Sequence, residues 1–401
     1  MDTPKKTLVS LFSKGLSRAF SQIPKEADTV LIDITKSTQE KFGHYQFNSA
    51  MRLAKPLGKS PRLIAEEIVH HLEKDHVIES FEIAGPGFIN ITLTSEYLSS
   101  IVDLIAKKGC QPDQKRHQKI VIDFSSPNIA KELHVGHLRS TIIGDCLARL
   151  FEFQGYDVVR LNHIGDWGTQ FGMLIAYMKE HVPDAFEEPK GYFLSDLMGW
   201  YKAAKAKFDE DSKFKTTSQL EVGKLQGGDP SSLKAWKAIV DISKQSYEEI
   251  YKLLDIRIEE RPESFYNPFL NDVVDTLQKK GIAIESEGAL CIFLDGFIGR
   301  EGEPLPLIIR KSDGAFNYAT TDLAAIRHRV DVERADRIIY VTDAGQASHF
   351  KMIFQAAEKA GWLDKTKTRV DHVPFGLVLG PDGKKFKTRS GETEKLIDLI
   401  H

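Results

Sequence analysis

From Ile120 to Asp145 the chain reads IVIDFSSPNIAKELHVGHLRSTIIGD, and this stretch constrains the fold more than any other. Ile120, Val121, Ile122 and Phe124 form a short β-branched and aromatic run suited to a central strand. Ser125, Ser126, Pro127 and Asn128 break it. From about His137 the apolar positions Leu138, Ile142, Leu147, Leu150 and Phe151 recur at near-helical spacing. Strand, polar loop and helix in this order make a nucleotide-binding junction, because a helix N-terminus presents amides and partial positive charge to phosphate. The run holds neither Gly-x-Gly-x-x-Gly nor a Walker lysine. Phosphates must therefore be handled by histidines and backbone. His134 and His137 are three apart and share a helical face, and Gly136 between them leaves room for a ligand at the backbone. Imidazoles there can donate to a phosphoryl group as charge develops on it.

Two plainer readings compete. His-x-x-His could be half of a metal site, but Glu132 and Asp145 complete no known ligand spacing. The pair could also be a helix-capping accident. Taken alone, H-V-G-H is only a four-residue match.

The block SSPNIAKELHVGHLRSTIIGD, followed by LNHIGDWGTQFG at 161–172, resembles class I arginyl-tRNA synthetases, with H-V-G-H as the form of that family's "HIGH" motif. RPESFYNP at 261–268, FNYATTDLAAIRHR at 316–329 and FGLVLGPDGKKFKTRSGET at 375–393 agree with it. The resemblance is collinear from about residue 80 to the end of the chain. It implies an α/β fold: a doubly wound parallel-sheet, Rossmann-like catalytic domain of the HUP type with a helical insertion, preceded by a small α+β domain.

Composition suits a soluble enzyme. At 401 residues there is ample chain for two or three domains, and the formal net charge of −3 excludes a globally basic nucleic-acid coat protein without excluding local basic patches. Cys110, Cys146 and Cys291 are scattered, which suggests neither a zinc ribbon nor a disulfide framework and points to a reducing cytoplasm. MDTPKKTLVSLF lacks the apolar core of a signal peptide, and no stretch approaches a membrane span.

Three parts are expected. Residues 1–115 read as a mixed segment with helices at Leu8–Phe20, Pro61–Leu72 (Ser60 as cap) and Ser95–Lys107, and a hairpin at Phe81–Leu93 with a Gly-Pro-Gly turn. By resemblance this is the N-terminal additional domain that contacts the tRNA elbow, with Phe88 and Asn90 facing the D-loop; alternation alone leaves Phe88 equally readable as a hairpin core residue. Residues 116–390 read as the catalytic domain, with strands at Lys119–Phe124, Val158–Asn162, Arg337–Val341 and His372–Leu379. A charged helical insertion at about 173–260 interrupts it, its charges read as solvated faces. Residues 391–401 would begin the connection to a helical anticodon-binding domain, and the chain stops at LIDLIH as that domain should begin.

Gly380, Pro381, Asp382 and Gly383 read as a turn before Lys384, Lys385, Lys387 and Arg389, a cationic flap able to close over phosphates, or else an exposed basic loop. By resemblance it is the "KMSKS" loop, with Ser390 replacing the second lysine and Lys131, just before H-V-G-H, compensating.

A site selecting arginine should offer carboxylates and an aromatic hydroxyl or face to a planar, always-charged guanidinium. Carry-over from the family places Glu263, Tyr318 and Asp322 there, and Asn162 and Gln346 at the substrate's α-amino and carboxylate groups. Tyr318 and Asp322 are four apart on a helix start and face the same way. Without the neighbouring blocks, a half-buried core ring and an ordinary helix-start carboxylate would be the better readings. RPES departs from the more usual Gly-Glu-Ser, which makes Glu263 the least secure.

The resemblance implies an arginine–tRNA ligase. ATP would bind through Ser126, Asn128, His134, Gly136, His137 and Lys387, accompanied by Mg²⁺ held mainly by phosphate and water. His134, His137, Lys131, Lys387 and Arg389 would stabilise the adenylation transition state, and the adenylate would pass to the 3′ end of tRNA(Arg). A monomer is expected, with no membrane partner. A small nucleotidyltransferase of the same superfamily would lack the N-terminal domain and the insertion. A non-acylating tRNA-binding relative, or a fragment with little activity by itself, is the remaining alternative.

Overall fold

A computed structural model describes residues 3–20, 32–72, 76–110, 116–168, 170–299, 302–376 and Leu396. It divides into two compact units, Met1–Gln114 and Lys115–His401.

In the first unit a four-stranded antiparallel sheet, β1 (Ile34–Lys36), β2 (Tyr45–Phe47), β3 (Ile78–Ala84) and β4 (Phe88–Leu93), has the order β1-β2-β4-β3. Helices α1 (Pro4–Ala19), α2 (Ala50–Leu57), α3 (Pro61–His71) and α4 (Ser95–Lys108) accompany it. Leu8 and Phe12 of α1, Ile64 and Ile68 of α3, and Ile89, Ile91 and Leu93 of β4 share one core. Ser60 caps α3, accepting from Leu63 N–H at 3.4 Å, with Pro61 in the first turn. The Gly-Pro-Gly turn lies at 85–87, and a Cβ at Gly87 would sit 2.7 Å from the Pro61 backbone. Strands β1 and β2 are too short to register in the sequence pattern.

The second unit is α/β. Strands β5 (Lys119–Asp123), β6 (Asp157–Asn162), β7 (Glu259–Glu260), β11 (Arg337–Asp343) and β12 (Arg369–Phe375) form a parallel sheet of order β12-β11-β5-β6-β7. In β5 the alternation sends Val121 into one core and Ile120 and Ile122, continued by Phe124, into another, so both faces are covered. The crossover helix α5 (Val135–Phe153) presses against Phe124: a Cβ on Gly144 would fall 2.2 Å from its ring. The last strand begins three residues earlier than expected, and Leu379 lies outside the described residues.

The insertion is helical, built from α6 (Gln170–His181), α7 (Leu194–Glu210), α8 (Ser212–Gln226) and α9 (Pro230–Leu253). Its charges are not all solvated. Glu221 is buried and accepts from Lys179 Nζ at 2.6 Å, Lys224 Nζ at 2.9 Å and Ser232 Oγ at 2.7 Å, joining three helices. A buried carboxylate persists only when paired in this way. After the insertion come α10 (Asn267–Lys279), an antiparallel sheet of β8 (Ala283–Ser286), β9 (Ala289–Ile298) and β10 (Pro304–Arg310), α11 (Tyr318–Asp331) and α12 (Ala347–Lys359). The small sheet was not anticipated: its strands occupy the second half of the fold, where the sequence reading expected only alternation with helices.

Candidate active site

At the carboxyl ends of β5, β6 and β11, where the chain winds off in opposite directions from β5, lies a cleft of about 550 Å³. Its lining includes Ser126, Asn128, His134, Gly136 and His137 from the β5–α5 segment, and Glu263, Tyr318, Asp322, Gln346 and His349 from later in the chain.

The loop after β5 is strained and tied down. Ser125 (φ 68°), Ser126 (φ 47°) and Ala130 (φ 59°) all adopt the left-handed region, a conformation costing about 1 kcal/mol or more each that survives only where the surroundings fix it. They do. Ser125 N–H donates to Ser140 Oγ at 2.9 Å, and Ser125 Oγ pairs with Tyr251 Oη at 2.6 Å. Ser126 N–H donates to Asn162 Oδ1 at 2.9 Å, and Ser126 Oγ to Asp123 Oδ1 at 2.8 Å. Tyr251 comes from α9, so the insertion anchors the loop directly; burial pushes its phenol up to about 12.

Helix α5 begins two residues before expectation, at Val135, because His134 is its N-cap. His134 Nδ1 accepts from Gly136 N–H at 3.1 Å, and His137 Nδ1 accepts from His134 N–H at 3.1 Å. The plainer capping reading is thus realised together with the shared face. Each ring's Nδ1 being an acceptor, the neutral tautomer of each carries its proton on Nε2. The ring centroids are 4.0 Å apart. Burial, then the charges of His134 and Lys131, push His137 down to about 3, so it stays neutral. Two expectations change: these amides are engaged by imidazoles rather than offered to phosphate, and Gly136 makes room for a ring, since its Cβ would lie 2.9 Å from His134 Cε1. Lys131 is exposed.

Glu263 sits on a short 3-10 turn, Glu263–Tyr266. Its N–H donates to Ile164 O at 2.9 Å, while Ser264 N–H and Oγ both donate to buried Asp166, at 2.9 and 2.5 Å. The HIGDWG block therefore holds the RPES turn. Burial, then the charges of Asp322 and Asp166, push Glu263 up to about 8; burial raises Asp166 to about 6. Asp322 behaves oppositely. Burial works against its ionisation, but the hydrogen bond and charge of His349, with help from His163 and Arg329, hold it below the ordinary carboxylate range. Tyr318 opens α11 and is 61% exposed. Beneath lies Asp123, which accepts from fully buried Arg329 Nη2 at 2.7 Å.

Of the residues singled out from the sequence, Ser126, Asn128, His134, Gly136, His137, Glu263, Tyr318, Asp322 and Gln346 line this one cleft. Asn162 does not. It is fully buried, its Oδ1 accepting from Ser126 N–H and its Nδ2 donating to Tyr251 Oη at 3.1 Å, so it supports the loop from behind. Lys384, Lys385, Lys387, Arg389 and Ser390 lie outside the described residues. In the first unit, Phe88 and Asn90 lie on the face of β4 opposite to core residues Ile89 and Ile91, so Phe88 is not a hairpin core residue. Asn90 Oδ1 accepts from Gln46 Nε2 at 2.8 Å, and its Nδ2 has no partner. Sequence reading missed Asp123, His163, Arg329 and His349; the last sits three residues after Gln346 in a block the motif reading did not reach.

A histidine-capped helix at the switch point of a parallel sheet fits the nucleotide-binding core of a class I tRNA synthetase. Residues 100–401 match the profile of tRNA synthetases class I (R), catalytic domain, and residues 6–93 that of the arginyl tRNA synthetase N-terminal domain. An arginine–tRNA ligase of Protochlamydia amoebophila is 57% identical over all of this chain and 69% of its own length, and one of a Nostoc species is 52% identical over all of this chain and 68% of its own. The crystal structure of arginyl-tRNA synthetase from Plasmodium falciparum superposes with a TM-score of 0.74 at 33% identity, covering 100% of this chain and 67% of that one. The Thermus thermophilus arginyl-tRNA synthetase shares the fold, with a TM-score of 0.68 at 20% identity over 98% of this chain and 68% of that one. The chain belongs to the arginyl-tRNA synthetase family.

Proposed function

We infer that this cleft activates arginine with ATP and transfers it to the 3′ end of tRNA(Arg). The observation that carries the reading is the meeting, in one cleft, of a histidine pair on a helix start, His137 neutral, with two acids, Glu263 and Asp322, beside an exposed Tyr318. Arginine's guanidinium lies between Glu263, Asp322 and Tyr318, where its charge relieves the crowding of the two acids. Gln346, and Ser126 and Asn128 of the strained loop, hold the α-amino and carboxylate groups and the nucleotide; Asn162 acts through Ser126. The arginine carboxylate attacks the α-phosphorus in line and pyrophosphate leaves. His134 and His137 donate Nε2–H to the phosphoryl oxygens as charge grows, with Lys131, Lys387 and Arg389 neutralising the departing charge. The terminal ribose hydroxyl of tRNA then attacks the adenylate.

Mg²⁺ would accompany ATP, held mainly by phosphate and water. Phe88, by stacking, and Asn90 are taken as the residues that meet the tRNA elbow. The domains are taken as 1–115 for tRNA contact and 116–390 for catalysis, and the protein as a cytoplasmic monomer. No helix among the described residues is long and apolar enough to cross a membrane.

ATP–pyrophosphate exchange with each of the twenty amino acids, with and without tRNA, tests this. Exchange with arginine alone among them supports it. Exchange with another amino acid, or none under any condition, overturns it.

A further inference from the structure

His349, in the first turn of α12, has no role in the reading above. Its Nε2 lies 2.6 Å from Asp322 Oδ2, and its ring centroid is 5.0 Å from that of Tyr318. It thus touches both the acid and the aromatic ring assigned to the guanidinium while itself lining the cleft. Phe350 backs the ring at a centroid distance of 5.5 Å. The other titratable and charged groups near Asp322 include His163 after β6, with Nε2 4.0 Å from Asp322 Oδ1, Arg329 on α11, Tyr340 on β11 and Glu263 on the 3-10 turn. Only His349 lies within hydrogen-bond distance of the carboxylate among these.

A planar guanidinium gains from a carboxylate whose plane is fixed, because two parallel N–H bonds form only when both partners are aligned. An ammonium, a point donor, makes no such demand. Resting on the reading that the cleft takes arginine, we propose that His349 is a positioning residue for arginine selection: Nε2–H clamps Asp322 Oδ2, and the ring braces Tyr318. The remaining lone pairs of Asp322 then face the guanidinium in one orientation, and the clamp keeps the acid ionised in a buried setting where its neighbour Glu263 is an acid too.

Three variants separate this from a packing role. His349→Gln can place an amide N–H near the position of Nε2. His349→Asn fills the site but cannot reach, and His349→Ala removes everything. Isothermal titration of arginine and of ATP, separately, and the split between KM and kcat for arginine in tRNA-dependent exchange are measured on each. His349→Asn and His349→Ala should weaken arginine binding about 10- to 100-fold, the cost of leaving a buried charged acceptor without its donor, while ATP affinity stays. KM should carry most of the loss, and discrimination against lysine should narrow. His349→Gln should recover most of the arginine affinity. The proposal is overturned if His349→Asn binds arginine as wild type does, if arginine and ATP affinities fall together, or if His349→Gln is as weak as His349→Asn. Should the wild-type chain itself fail to bind arginine, the arginine reading falls first, and that result is visible before any variant is made.

Discussion

At the His134–His137 end of the cleft, both imidazole Nδ1 atoms accept backbone N–H groups and His137 is held neutral with its proton on Nε2. At the Glu263–Asp322 end the acids are buried and crowded, and burial, then the charges of Asp322 and Asp166, push the Glu263 carboxyl up to about 8. On the proposed reading, the first end meets charge that appears during reaction. The second is a deficit that a cation corrects. On that reading, one end governs rate and the other selection within a single cleft.

The sharpest way to break that division is Asp322→Asn. Removing the ionised partner of a guanidinium should weaken arginine binding by roughly 2–5 kcal/mol while sparing ATP. Arginine titration by calorimetry measures it, and unchanged affinity would move the guanidinium elsewhere. The opposite signature is expected for His134→Ala and His137→Ala. Each should slow adenylate formation by about 10²-fold or more, as for other preorganised donors, with arginine affinity nearly unchanged. If either variant lost arginine binding instead, the two ends would not be separable.

Acidity sharpens the contrast further. Because arginine favours ionised Glu263, its affinity should rise as pH climbs through about 8, and binding at pH 7 should release a proton. Glu263→Gln should flatten both, as read by titration in buffers of different ionisation enthalpy. The stability sign follows separately. A carboxyl whose folded pKa is raised binds more protons folded than unfolded, so its contribution to stability falls as pH rises from about 4.5 to about 8. Thermal unfolding of the free protein should therefore favour Glu263→Gln over wild type increasingly across that window, and an identical pH dependence would show Glu263 to be ionised already.

The phosphate end was legible in the sequence to an extent the acid end was not. Strand, breaker and helix follow each other within Ile120–Asp145, so periodicity alone placed His134 and His137 together. Even there, which backbone amides the rings would take was invisible, because a capping bond depends on side-chain rotamers rather than spacing. The acid end is assembled from 3-10 turn, α11 and α12, separated by dozens of residues, and only resemblance brought Glu263, Tyr318 and Asp322 together. Asn162 shows the limit of that carry-over: Glu263, Tyr318, Asp322 and Gln346 line the cleft, but Asn162 does not, its amide being engaged by Tyr251 from an insertion with no motif. Arg329 and Asp123 went unread because a buried ion pair between a strand and a helix 206 residues apart has no local signature.

Lys131 offers the smallest test, on the phosphate side. It is exposed, and its charge reaches His137, where it ranks behind burial and His134 in keeping the ring neutral. Losing it should leave His137 neutral at pH 7, so the tautomer and the Nε2–H donor should survive. What changes is the field at the departing pyrophosphate. Lys131→Ala should slow activation by about 10-fold, less than the loss of either histidine, and more than Lys384→Ala, since Lys131 stands in for the cation that Ser390 does not supply. The effect should shrink as salt rises, because an exposed charge is screened. Partial rescue by Ser390→Lys in exchange assays would place both cations on the same phosphate. Equal, small losses for the two lysine variants would leave charge stabilisation at this end to the histidine pair and the strained loop behind it.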